Sequence, residues 1–206
     1  MPNSIDFTLY LITDRHQVPA GHTLLATVEA ALQGGVRAVQ LREKDLPAAE
    51  LLPLAEELRA LTRRFAARLL INDRIDVALA VSADGVHLGG HSLPAAVARH
   101  LLGPQRLIGV SAHHSAEIAA AAAGGADFVT FGPVFATPSK AAYGPPLGID
   151  ALRKACTVAA LPVFALGGIK AAHLSLLRNH GVHGTAVISA IMAAVDPETA
   201  ARALRD

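Results

Sequence analysis

Short apolar runs rich in β-branched residues alternate along the chain with longer segments in which leucine and alanine recur at helical spacing. The runs Phe7–Thr13, Val36–Arg42, Arg68–Ile71, Asp84–Leu88, Arg106–Val110, Phe128–Phe131, Pro162–Leu166 and Thr185–Ile188 predict strands. The segments that follow them predict helices over Thr23–Gln33, Pro47–Phe65, Arg74–Val81, Pro94–Leu102, Ser115–Ala123, Ile149–Val158, Ala171–Asn179 and Pro197–Leu204. Leu51, Leu54, Leu58 and Leu61 mark the apolar face of the second helix. Gly34 and Gly35 stop the first helix, Pro94 opens the fourth, and Ser115 is the expected N-cap of the fifth. A strand-then-helix unit repeated eight times with short connections predicts a parallel sheet closed into a (β/α)8 TIM barrel, one domain over residues 1–206.

Composition narrows the classes. With 206 residues, 52% hydrophobic and 17% charged, the chain can bury one substantial core and is neither disordered nor fibrous. A formal net charge of +1 gives no electrostatic case for a nucleic-acid partner. No apolar run approaches the ~18 residues of a membrane span, and the N-terminus lacks a signal-peptide pattern. The lone Cys156 fits a reducing compartment, so the expected location is the cytoplasm, without membrane association. Aromatic residues are only 4%, so base-stacking platforms are scarce.

In such a barrel the chemistry lies at the C-terminal ends of the strands. The second strand ends in Gln40, Arg42, Glu43 and Lys44, where two cations suit a phosphate or diphosphate; a solvated charge cluster is the alternative. The third ends in Asn72 and Asp73, suited to Mg2+ through oxygen but also ordinary capping residues. The fourth brings His87, read as a packed histidine, and then Gly89, Gly90, His91 and Ser92. The fifth brings Ser111, His113 and His114; the sixth runs out to Thr137, Ser139 and Lys140 beside a Gly/Pro-rich loop. The seventh ends in Gly167 and Gly168 and the eighth in Ser189, where backbone N–H groups can approach a phosphate. His16, His100, His173 and His180 read as surface positions, and no Cys/His spacing suggests zinc. These residues describe a barrel enzyme with two anion sites, one cationic and one built from backbone. Joining two phosphorylated molecules and processing one both remain open.

Several segments together carry a resemblance: Leu11-Ile-Thr-Asp14, Gln40-Leu-Arg-Glu-Lys44, Ile71-Asn-Asp73, Asp84-Gly-Val-His-Leu-Gly89, Gly109-Val-Ser-Ala-His113, Gly132-Pro-Val-Phe135 with Lys140, Gly167-Gly-Ile169 and Val187-Ile-Ser-Ala-Ile191. In this order, over essentially the whole chain, they resemble the thiamine phosphate synthase and thiazole tautomerase family. The resemblance implies that an aminopyrimidine methyl diphosphate loses diphosphate and that the nitrogen of a thiazole phosphate captures the resulting cation. It also implies that Arg42, Lys44 and Lys140 stabilise the departing diphosphate and that Asp73 holds Mg2+. Gln40, Asn72 and Ser111 would then serve the pyrimidine diphosphate, and Thr137, Ser139, Gly167, Gly168, Ile188 and Ser189 the thiazole phosphate. A homodimer is compatible with it.

The chain departs from the family pattern at two places. Synthases carry Gln-Glu-Asp after the His-Leu-Gly stretch, the Asp being a second magnesium ligand; here Gly90, His91 and Ser92 stand there, and a hydroxyl is a poor substitute for a carboxylate. The usual Thr-x-Thr-Lys is Thr137-Pro138-Ser139-Lys140, which keeps the hydroxyl. Loss of that Asp is a trait of the tautomerase branch, where a histidine matching His113 would move a proton. A non-catalytic barrel that binds the same precursors is a third reading. The full Gln40, Arg42, Lys44 and Asn72-Asp73 set is what a synthase needs, so synthesis of thiamine phosphate is the leading expectation.

Overall fold

The computed structural model describes residues 4–137 and 144–205. Strands β1 (Leu9–Ile12), β2 (Ala38–Leu41), β3 (Arg68–Asn72), β4 (Gly85–Leu88), β5 (Leu107–Ala112), β6 (Phe128–Phe131), β7 (Val163–Leu166) and β8 (Gly184–Val187) pair in chain order, all parallel, and β8 closes onto β1. Around them lie α1 (Leu24–Gln33), α2 (Ala48–Arg64), α3 (Ile75–Ala80), α4 (Ala95–Leu102), α5 (Ser115–Ala123), α6 (Gly148–Val158), α7 (Leu174–Arg178), α8 (Ser189–Met192) and α9 (Pro197–Arg205). The expected (β/α)8 barrel is the fold observed. No helix among the described residues is long and apolar enough to cross a membrane.

Most element ends shift by one to three residues, for local reasons. Arg42 leaves the β2 ladder because its N–H goes to the Thr13 hydroxyl at 2.9 Å. The N-cap of α5 is His114, not Ser115: His114 Nδ1 accepts the Glu117 N–H at 3.4 Å, so Ser115 already lies inside the helix. The expected helix Ala171–Asn179 divides into a 3-10 turn (Ala171–His173) and α7. The one-turn helix α8 after β8 was not expected. His173 is not a free surface residue; it stacks on Phe135, with ring centroids 3.9 Å apart.

Alternation along the short strands sorts two apolar layers. Leu9, Leu11, Val39, Leu41, Leu69 and Ile71 face the helices, whereas Tyr10, Ile12, Ala38, Leu70, Phe128 and Phe164 fill the barrel interior. Phe128 is the centre of that interior, with edge contacts to Phe7 (5.7 Å, 89°), Tyr10 (5.5 Å, 84°) and Phe164 (5.3 Å, 64°). Burying a ring of this kind contributes roughly 1.5–3 kcal/mol. Gly109 makes the room: a Cβ there would stand 2.5 Å from both Phe128 Cζ and His87 Nδ1. Phe7, Tyr10, Phe128 and Phe164 are therefore gathered in the barrel interior as a packed floor.

Candidate active site

At the end of β2 the chain turns over Glu43–Leu46, with the Leu46 N–H on the Glu43 carbonyl at 3.2 Å. Arg42 is half-buried and Lys44 exposed, but Glu43 between them is 4% exposed. Its Oε1 accepts the Thr13 hydroxyl at 2.7 Å, and its Oε2 accepts the Arg15 backbone N–H and Nη1, each at 3.1 Å. Arg15 continues to Asp45 through two bonds of 2.7 and 2.6 Å. Arg15 and His16 together hold the Asp45 carboxyl below the usual range. The sequence shows a charge cluster here; the structure shows one buried carboxylate flanked by the two candidate cations.

Next to it, a cavity of about 280 Å3 is walled by Glu43 and Lys44 from β2, Asn72, Asp73 and Arg74 from β3, and Gly89, Gly90, His91 and Ser92 from β4, over Leu41, Leu46 and Leu51. Asp73 has a left-handed φ of 64° and is the middle of a tight turn, with the Arg74 N–H on the Asn72 carbonyl at 2.7 Å. That conformation is costly for a residue other than glycine, and such strain concentrates at functional sites. Arg74 is engaged with Asp76 (Nε to Oδ1, 2.9 Å), which holds the Asp76 carboxyl below its usual range. Ser92 Oγ accepts the Gly89 N–H at 2.7 Å and closes the β4 loop on itself.

Inside the barrel, just under the mouth, Gln40 Nε2 donates to the Tyr10 hydroxyl at 3.0 Å. Tyr10 approaches His87 Nδ1 at 3.5 Å, and His87 Nε2 meets Ser111 Oγ at 3.1 Å and Thr130 Oγ1 at 3.4 Å. Gln40 is thus 1% exposed with its amide nitrogen engaged, while Ser111 is half-buried with its hydroxyl held from below. Burial, and secondarily the positive charge of Arg42, push the His87 imidazole from 6.5 down to about 3. His87 is therefore a neutral network member, as its packed reading anticipates, and the Arg42 charge is felt within the barrel mouth.

This has a consequence for stability. Between pH 6.5 and about 3 the unfolded chain binds a proton on His87 that the folded chain refuses. The His87 contribution is complete above pH 6.5 and declines on acidification, by up to about 1.4 kcal/mol per pH unit. Urea unfolding at pH 7 and pH 5 measures the decline, and His87→Gln should flatten it. An equal slope in the variant would exclude His87 as its source.

On the far side of the mouth, His113 is exposed, with Nδ1 2.6 Å from the Gly132 carbonyl. A carbonyl only accepts, so Nδ1 carries the proton and a neutral ring presents Nε2 as acceptor. Gly167 and Gly168 (φ 97° and 65°) fold tightly against the segment after β6: a Cβ on Gly168 would stand 2.6 Å from the Ala136 carbonyl oxygen. Thr137 is half-buried; Ile188 is half-buried and Ser189 exposed at the start of α8. Ser139 and Lys140 lie outside the described residues. Of the expected residues, Lys44, Asn72 and Asp73 share the cavity, Gln40 and Ser111 share the interior network, and Gly167 and Gly168 stand at the β6–β7 side. Thr13 and Arg15 were missed because their roles arise only from contacts across strand ends; the segment Leu11-Ile-Thr-Asp14, which contains Thr13, was a signal toward this place.

A family described as thiamine monophosphate synthase matches residues 9–191. A Geobacter sulfurreducens protein named "Putative thiamine-phosphate synthase" is 64% identical over 97% of this chain and 93% of its own length. The thiamine-phosphate synthase of Roseiflexus castenholzii is 45% identical over 96% of this chain and 86% of its own. The solved structure of thiamine phosphate pyrophosphorylase from Pyrococcus furiosus superposes with a TM-score of 0.87 at 39% identity, covering 97% of this chain and 94% of that one. With a family match over most of the chain and relatives of this identity and coverage, the chain belongs to the thiamine monophosphate synthase family.

Proposed function

We propose that this chain makes thiamine phosphate by joining an aminopyrimidine methyl diphosphate to a thiazole phosphate, with release of diphosphate. The observation that carries the reading is the pair Arg42 and Lys44 at the end of β2, beside a cavity walled by Asn72 and Asp73. The bond between the methylene carbon and the diphosphate oxygen breaks, and its electron pair leaves with diphosphate. The thiazole nitrogen lone pair then forms the new C–N bond, so no protein nucleophile and no net proton transfer is needed. The barrier lies in separating charge, and fixed cations lower it most effectively. Arg42 meets the developing negative charge from the barrel side and Lys44 from the cavity side; Lys140 would add a third cation. Asn72 and Ser111 orient the pyrimidine diphosphate, above the closed Tyr10–Gln40–His87 floor. Thr137, Ser139, Gly167, Gly168, Ile188 and Ser189 would receive the thiazole phosphate.

The donor set fits a magnesium ion held by one carboxylate. Among the described residues no group of three or more His, Cys, Asp or Glu suits a metal. Glu43 is committed to Thr13 and Arg15, and Ser92 to the Gly89 N–H, which leaves Asp73 as the carboxylate toward the cation. Mg2+ commonly takes one or two carboxylates together with substrate phosphate oxygens and water. When bound, it supplies further neutralisation of the leaving diphosphate. The near-neutral net charge and lone cysteine support a cytoplasmic enzyme, compatible with a homodimer, acting on small phosphorylated molecules without nucleic-acid or membrane partners.

A product assay with both substrates, with and without Mg2+, tests the reading. Thiamine phosphate is expected only when magnesium is present. No product under either condition would overturn it, and the carboxylated thiazole phosphate of a tautomerase would be the next substrate to try.

A further inference from the structure

We infer that Glu43 is a positioning residue: through Thr13 and Arg15 it fixes the place where Arg42 and Lys44 meet the diphosphate. The inference rests on the proposed function. A carboxylate with a side chain only 1% exposed is expensive to bury and is tolerated only when fully hydrogen-bonded. Here the bonds come from Thr13 Oγ1, the Arg15 N–H and Arg15 Nη1, all on the segment that follows β1. The same Thr13 hydroxyl accepts the Arg42 N–H at 2.9 Å, so one side chain grips residues 42 and 43 together. The Thr13 N–H is in turn on the Gln40 carbonyl at 2.9 Å, which ties this grip to the parallel register of β1 and β2. Arg15 reaches past Glu43 to Asp45, so the turn carrying Lys44 is held at both sides.

A buried ion pair of this kind adds little net stability, because desolvation offsets most of its attraction. What it does supply is geometry. An extended exit from β2 held only at Leu41 would let the Arg42 and Lys44 side chains wander in solvent. The Thr13–Glu43–Arg15 grip instead fixes their backbone on a rigid strand end before substrate arrives, so little ordering remains to be done at binding. Neither Glu43 nor Thr13 needs to touch the diphosphate for this.

The test uses Glu43→Gln, Thr13→Val and Thr13→Ser in the full chain. Calorimetry with inorganic diphosphate, thermal melting, and kcat and KM for each substrate are the readouts. Glu43→Gln and Thr13→Val should each weaken diphosphate binding and lower kcat about tenfold or more, as losses of a supporting partner commonly do. The KM for thiazole phosphate should stay unchanged, and Thr13→Ser, which retains both bonds, should behave as the parent. A merely structural role would lower the melting temperature without separating the two substrates, and that result would overturn the inference. So would parental diphosphate affinity in Thr13→Val, which decides the matter even if Glu43→Gln fails to fold. If the parent chain itself binds no diphosphate, the proposed function falls first and the inference with it; parental binding with indifferent variants overturns the inference alone.

Discussion

Arg42→Ala is expected to lower thiamine phosphate formation by about 10^3-fold, the scale seen when a preorganised group facing transition-state charge is removed. Its guanidinium presents a planar fork that fits phosphate oxygens. Its positive charge adds, after burial, to the lowering of the His87 pKa inside the barrel. Lys44 is exposed on the cavity wall, and a point charge without the planar fork of arginine should be less costly to remove. Stability should hardly change, because Arg42 is half-buried and its backbone bond to Thr13 survives the substitution. Rate, diphosphate affinity and melting temperature measured on one preparation check all three points. An unchanged rate with an intact fold would remove Arg42 from the clamp.

Asp73→Asn and Ser92→Asp should move magnesium dependence in opposite directions. Asparagine nearly matches Asp73 in volume and meets the same backbone cost at its positive φ, so the change isolates the charge. With Glu43 and Ser92 committed elsewhere, the cation loses its carboxylate, and the magnesium needed for half-maximal rate should rise about 10- to 100-fold. Ser92→Asp restores a second carboxylate on the β4 side of the same cavity and should lower that requirement. Calorimetry with Mn2+ and inorganic diphosphate reads the same order without turnover: strongest in Ser92→Asp, weakest in Asp73→Asn. Equal affinity in all three proteins would place the cation elsewhere.

The sequence by itself determined the eight-unit barrel and which residues stand at each strand end. Both are local properties: strands of four to six residues punctuated by Gly and Pro, and side chains counted from the last apolar position. On that basis Arg42, Lys44, Asn72, Asp73 and the Gly167-Gly168 pair were legible before any coordinates. Helix ends were less so. His114 rather than Ser115 caps α5 because an imidazole nitrogen can accept an N–H as a hydroxyl does, and composition does not separate the two.

Only the tertiary structure decided how the strand ends act on one another. Glu43 sits between two basic residues and reads as solvated, yet it is buried because Thr13 and Arg15, some thirty positions earlier, close over it. His87 is neutral because the barrel interior withdraws it from water, and Ser92 is occupied because its loop folds back on Gly89. Each outcome depends on parallel register and on which loop covers which side chain. Desolvation and hydrogen-bond partnership are set by those long-range contacts, and sequence periodicity carries no record of them.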